Sequence, residues 1–359
     1  MQRTKLAIVC LLLVGAGADL KVRLYDVRLR EAGLYEKIYA AVRVDVLRPV
    51  AALPPHLTGL FEEPVAFQQV ANGYYFVFDR RGHAIYMIDP EQTTARKVVS
   101  VGQEEGRIIQ PGGFDTTAEG SFVVADVPRG QERLQIFGPG ALRRGGFFLA
   151  GRAMPQLILG NYAVTGISSL QFNGESIFVS EPERGSLITE YSVGGVPQRT
   201  IGRLRETGHE QERDLHLALN AGLPLVDPTG GFYYVFLTGT PQFRKYDANG
   251  TLLFERHIEG REIDDLVASQ PTVWPTRRVE DREVPFVQPV IRTAAVDPQG
   301  RLWISFIVPF TYVYDQQGDK ARTIQFNATG ILTPNSLFFT RAGHLLVTPG
   351  CYEYDPNRR

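Results

Sequence analysis

Residues 119–140 read EGSFVVADVPRGQERLQIFGPG. The stretch opens on a polar turn with glycine, runs through four apolar residues to Asp126, crosses a polar loop and returns through Leu134-Gln135-Ile136-Phe137 to the turn Gly138-Pro139-Gly140. A continuous apolar run bounded by turns fits a strand buried on both faces, and the alternation that follows fits a strand with one exposed face. Such a hairpin is marginal alone and needs further strands to bury its surface.

The same unit recurs along the chain. The dense strand reappears as NGYYFVFD (72–79), NGESIFVSE (173–181), GGFYYVFL (230–237), QGRLWISF (299–306) and AGHLLVTP (342–349). A run ending in Tyr-Asp or a close substitute follows each time: IYMIDPEQ (85–92), ITEYSVGG (188–195), FRKYDANG (243–250), TYVYDQQG (311–318) and CYEYDPN (351–357). An approach strand precedes each pair, and outer strands are expected at 97–101, 146–150, 198–201, 252–257 and 322–326. Four short antiparallel strands recurring every ~40–50 residues make a propeller blade. Six copies predict an all-β, six-bladed β-propeller.

The sixth copy stops at Arg359 without room for an outer strand. AVRVDVL (41–47) alternates at period two and is expected to pair with the C-terminal blade, closing the ring and removing an open edge. Three segments follow: 1–18 as a signal peptide, 19–63 as an N-terminal segment with the ring-closing strand, and 64–359 as the propeller. Two spacers exceed a bare blade, 203–222 with a short helix expected over 210–219, and 259–290. Insertions of this kind decorate one rim and often carry binding.

Composition agrees with that architecture. The 36 glycines and 23 prolines suit many turns, and the 21 Phe and 15 Tyr suit half-buried strands. Lys+Arg 38 against Asp+Glu 39 gives a net charge of -1, with no general drive toward nucleic acid or anionic lipid. At the N-terminus Arg3 and Lys5 precede the apolar run LAIVCLLLV and the small residues Ala16-Gly17-Ala18, the pattern of a secretory signal. The run is shorter than the ~18–20 residues that span a bilayer, so no transmembrane span is expected after cleavage, although an uncleaved anchor is the competing reading. The expected location is exported, periplasmic or secreted. Cleavage removes Cys10 and leaves Cys351 alone, which excludes an internal disulfide and cysteine-based zinc or redox sites.

Catalytic motifs are absent: no HExxH among the six histidines, no GxSxG, no phosphate-binding glycine loop. The candidate binding residues lie in the loops between second and third strands. Blade one supplies Asp79, Arg80, Arg81 and His83; blade two Asp126, Arg129 and Glu132; blade three Glu181, Glu183 and Arg184. Blades four to six offer Thr240-Pro241, Val308-Pro309-Phe310 and Thr348-Pro349. A face charged on one side and apolar on the other suits a peptide or an amphipathic ligand. The competing reading makes Asp79 and Asp126 acceptors for their own loops and the Arg–acid pairs ordinary surface bridges.

Residues 119–140 resemble the NHL repeat of six-bladed propellers, and 73–89, 174–194 and 297–318 match it more loosely. Over 64–357 the chain looks like the broad group of bacterial exported propellers related to NHL and TolB-type domains. That resemblance implies a fold and leaves function open, since members include enzymes, scaffolds and binding modules. The SMP-30/gluconolactonase propellers are similar in blade count and hold a divalent metal through Glu, Asn and Asp. Glu63-Pro64-Val65 resembles their Glu segment, whereas Gly166-Ile167-Ser168-Ser169 stands where the Asn would be. The expected function is a non-enzymatic module, without cofactor, that binds a protein, peptide or envelope glycan. A metal-dependent hydrolase or lactonase with a channel metal at Glu63 is the alternative, and an envelope assembly contacted through 259–290 is a third reading.

Overall fold

The computed structural model of the protein describes residues 44–150, 155–159, 162–165, 167–279 and 282–358. The signal-peptide reading lies outside the described residues, as do residues 41–43 of the expected closing strand. The chain divides into two compact units, Met1–Asp45 and Val46–Arg359, and the second holds every blade.

Six antiparallel four-stranded blades follow one another, the sheet of blade five being extended to six strands by Ile331–Leu332 and Val44–Leu47, which both pair with its outer strand. From inner to outer strand, blade one is Pro64–Gln69, Tyr75–Asp79, Ala84–Ile88 and Ala95–Val99. Blade two is Gly113–Thr116, Phe122–Asp126, Arg133–Phe137 and Arg143–Phe148. Blade three runs Leu170–Phe172, Ser176–Val179, Ser186–Ser192 and Pro197–Arg203. Blade four is Gly222–Val226, Phe232–Phe236, Gln242–Tyr246 and Leu252–His257. Blade five is Ile291–Val296, Leu302–Phe306, Thr311–Tyr314 and Lys320–Asn327.

Blade six has only three strands of its own, Ser336–Phe339, Leu345–Thr348 and Tyr352–Tyr354, and takes Pro49–Ala52 as its outer strand. Pro49 faces Tyr354 and Ala52 faces Tyr352 in an antiparallel register. The ring is therefore closed by an N-terminal strand on the C-terminal blade, as expected, but the residues differ. Val44–Leu47, the described part of the alternating stretch, lies instead beside the outer strand of blade five. There Leu47 packs with Trp303, Val313, Ile324 and Phe326. Alternation marks a half-buried strand but says nothing of which sheet edge receives it, and Pro-Val-Ala-Ala carries too little pattern to announce itself.

The core lies between blades. Among the described residues a separate hydrophobic cluster fills each of the six blade interfaces. Phe76, Phe78, Phe114 and Phe122 join blades one and two, and Phe67, Val77, Leu346 and Cys351 join blades one and six. Every second strand is buried throughout, because both of its faces meet a neighbouring blade, while outer strands such as Arg143–Phe148 alternate. The recurring Asp of the third strand has a local cause. Asp247 Oδ1 accepts from the N–H groups of Asn249 and Thr251, and Asp315 Oδ1 from those of Gln317 and Asp319. Gly250 and Gly318, at φ 85° and 83°, turn the hairpin where a side chain would be strained.

Candidate loop-face site

In this topology each inner strand begins on the same face on which the second strand turns into the third. Connections from one blade to the next also cross that face. All the long insertions therefore emerge there. The 203–222 spacer carries the helix Arg213–Leu219, three residues shorter at its start than expected. The 259–290 spacer carries the helix Asp264–Ala268 and the hairpin Thr276–Val279 with Arg282–Pro285. A third insertion, missed in the sequence, is the hairpin Pro155–Leu159 with Tyr162–Thr165 between blades two and three. The helix Arg213–Leu219 touches both Pro155–Leu159 and Arg282–Pro285, and Leu215, Ala218 and Leu219 pack with Val287 and Trp274.

Arg205 fastens this cap to blade four. Its guanidinium donates to the carbonyls of Leu219, Thr238 and Thr240 and lies over the Phe236 ring, 4.3 Å from its centroid. The Thr240-Pro241 loop, one of the apolar candidates of the face, is thus held by an arginine from the insertion.

The sequence-chosen residues divide into two sets. Asp79 is fully buried and accepts from the backbone N–H groups of Glu62, Glu63 and Gly82. Asp126, also fully buried, is forked by Arg133 Nε at 2.9 Å and Nη2 at 2.6 Å and accepts from Ile109 N–H. Arg133 spends its remaining donors on the carbonyls of Gln103, Glu104 and Arg107. Glu181 is buried, accepting from Tyr191 Oη at 2.6 Å and Arg184 Nε at 3.1 Å. These carboxylates hold loops in place. Arg81, Arg129 and Arg184 are exposed and His83 is half-buried. Arg81 reaches Glu62 at 3.6 Å and Arg129 Nε reaches Gln103 at 3.3 Å. His83 and Arg129 both adopt left-handed φ, 46° and 55°, which sets their loops.

Two further buried carboxyls are perturbed: Glu132, a blade-two candidate, and Asp115, which the sequence reading passed over. Glu132 accepts from Ile167 N–H, and burial, with Glu183 and Glu181 nearby, pushes it up to about 8. Asp115 lies on the inner strand of blade two. Burial pushes it up to about 7 against bonds from Phe172 N–H and Gln68. Sequence offered only a weak signal here, a charged residue inside an inner strand.

Glu63, the metal ligand of the alternative reading, is held by Arg80 through Nε at 3.2 Å and Nη2 at 2.5 Å. Among the described residues no three His, Cys, Asp or Glu side chains converge to hold a metal ion. No helix among them is long and apolar enough to cross a membrane. On the opposite face, the turns after the inner strands frame a cavity of about 580 Å³ lined by Val70, Ala118, Pro228, Pro298 and Phe339 with Arg341.

No protein-family model matches the chain, and no curated protein matches it in sequence. Among solved structures it is similar to virginiamycin B lyase from Staphylococcus aureus, at 10% identity and a TM-score of 0.47, over 83% of this chain and 85% of that one. It is also similar to Kuenenia stuttgartiensis hydrazine synthase, at 11% identity and TM-score 0.46 over 81% and 93% of the two chains. The WD40 beta propeller domain of Doa1 stands at 9% identity and TM-score 0.46, over 86% and 95%. The chain is a six-bladed β-propeller by its own topology; likeness at this level brings no chemistry with it.

Proposed function

We propose that this protein is an exported, non-enzymatic propeller of NHL-like repeat type that binds a protein, peptide or envelope glycan on its loop face. The observation that supports this most is the convergence of the insertions: three segments from different blade junctions emerge on one face, and the helix of one touches the other two. Arg81, His83, Arg129 and Arg184 are the sequence-chosen side chains left to meet a ligand there, while Asp79, Asp126 and Glu181 hold the loops that present them. Conserving the fold does not require so much structure on one rim, and loops on rigid scaffolds are where binding concentrates.

The test is site-specific photo-cross-linking in the native host. Cross-linkers at His83 and Arg129 are expected to capture a partner, while one at Glu119, on the opposite turns, is expected to capture none. Capture confined to Glu119 would overturn the assignment of the face. N-terminal sequencing of the mature protein is expected to begin at Asp19 and reports on export. Metal analysis of the same preparation addresses the hydrolase reading: stoichiometric divalent metal, lost in Glu63→Ala, would replace the binding module by a metalloenzyme.

A further inference from the structure

The loop-face mouth of the channel is ringed by the beginnings of the inner strands. Most of its side chains are small or neutral, with Ser168 on blade three and Asn335 just before the inner strand of blade six. The charged side chains are Glu63, just before the inner strand of blade one and held by Arg80, and Arg292. Arg292 is the second residue of the inner strand of blade five and sits in a β-bulge: Ile291 pairs with Phe306 and Thr293 with Ser305, so Arg292 is the extra residue between them. A bulge re-aims a side chain out of the ladder, and bulges concentrate beside functional sites. Here the side chain is exposed, unlike the buried or half-buried residues of the rest of its strand.

The local charges leave Arg292 uncompensated. Glu63 is taken by the Arg80 fork, and Arg80 N–H also bonds the Glu63 carbonyl. Among the described residues Arg292 has no ion pair or hydrogen bond. It nevertheless lies within electrostatic range of both groups across the mouth: partial desolvation of its guanidinium and the like charge of Arg80 lower its pKa, and Glu63 opposes them. Two guanidinium groups therefore lie near one carboxylate, leaving one positive charge at the mouth of the channel.

We propose that this mouth is an oxyanion site, in which the Arg292 guanidinium receives a carboxylate or phosphate group of the ligand and Arg80, anchored by Glu63, adds the second positive charge. A guanidinium presents parallel donors that match either anion in a bidentate fork. The proposal rests on the loop face being the binding face and names the chemistry that face would recognise.

The full mature chain is tested by thermal unfolding with succinate and, separately, inorganic phosphate, ionic strength being held constant with sodium chloride. A ligand of the native state raises the unfolding temperature saturably. At least one probe is expected to do so, and which one distinguishes carboxylate from phosphate. Arg292→Gln is expected to weaken that response at least tenfold, Arg292→Lys to weaken it less, and Arg341→Gln, at the other mouth, to leave it intact. The melting temperature of Arg292→Gln without probe serves as the folding control, since an exposed side chain contributes little to stability. No saturable response to either probe, or an equal response in Arg292→Gln, overturns the oxyanion site. The photo-cross-linking at His83 and Arg129 is read independently, so capture there with no anion response would leave the face as a binding surface without this chemistry.

Discussion

Gln68 and Asp115 meet across the first two inner strands, the Gln68 side-chain nitrogen donating to Asp115 Oδ1 at 3.1 Å. The other carboxyl oxygen, Oδ2, accepts from Phe172 N–H of blade three at 2.8 Å, so one buried carboxyl ties three blades together around the channel. Thr116 adds a hydroxyl bond to Gln68 Oε1 at 2.8 Å. Asp115→Ala strands the Phe172 N–H and the Gln68 amide. Each buried unsatisfied group costs about 1–3 kcal/mol, and urea unfolding is expected to show a loss within that range or above it.

Stability is expected to fall as pH rises from about 4 to about 8. Glu132 and Asp115 are both raised above the ordinary carboxylate range, to about 8 and about 7. The native chain therefore holds protons that the unfolded chain has already released in that window. Their stabilising contribution is complete below the unfolded pKa and is lost as pH passes through the folded values. Glu132→Gln keeps an oxygen for Ile167 N–H while removing the charge, so it is expected to flatten the decline. Unfolding curves at pH 5, 6, 7 and 8 check this; an unchanged slope in the variant refutes it.

The Asp126–Arg133 fork is expected to dominate the stability of blade two. Both side chains are nearly inaccessible. Removing one partner of such a pair leaves an uncompensated buried charge, at a cost of about 3–5 kcal/mol. Asp126→Ala and Arg133→Ala should each lose that much, and the double variant clearly less than their sum, in denaturant titrations.

Arg205→Ala is expected to loosen the cap without opening the ring. It removes bonds to the carbonyls of Leu219, Thr238 and Thr240, a charge-assisted set worth about 3 kcal/mol or more. Hydrogen exchange should rise over 205–222 and 238–241 and stay unchanged in blades one and two. Lysine is not expected to rescue it, because a single ammonium cannot replace the planar fork.

Cys351 is buried between blades six and one, and burial pushes its thiol up to about 12. No thiolate forms near pH 8, so a thiol reagent is expected to leave the native protein unlabelled. After denaturation, mass spectrometry should count one label on a chain that has lost residues 1–18 and two on a chain that retains Cys10.

The fold was legible because a propeller repeats its pattern: each dense strand is buried on both faces, and each Asp-Gly turn satisfies its own backbone. The site was less so. Asp79, Asp126 and Glu181 stood out as charged loop residues, yet each is charged because a loop needs an acceptor. Arg292 was passed over, since nothing in Val-Ile-Arg-Thr-Ala-Ala reveals that a bulge turns the arginine out. The hairpin between blades two and three was also missed, because its apolar residues blend with those of the neighbouring strands. The closing strand, finally, was sought in the best-alternating stretch rather than in Pro49–Ala52.

Pairing Pro49–Ala52 with Tyr352–Tyr354 joins segments at opposite ends of the chain. The loop it closes is about as long as the propeller itself, and such long-range contacts form late and slowly. Blades can assemble by local hairpins as the chain emerges, but the last edge stays open until the final residues are free. The closing strand, made among the first, would thus wait for the blade that receives it, and completion of the fold would be the last event of the chain's synthesis.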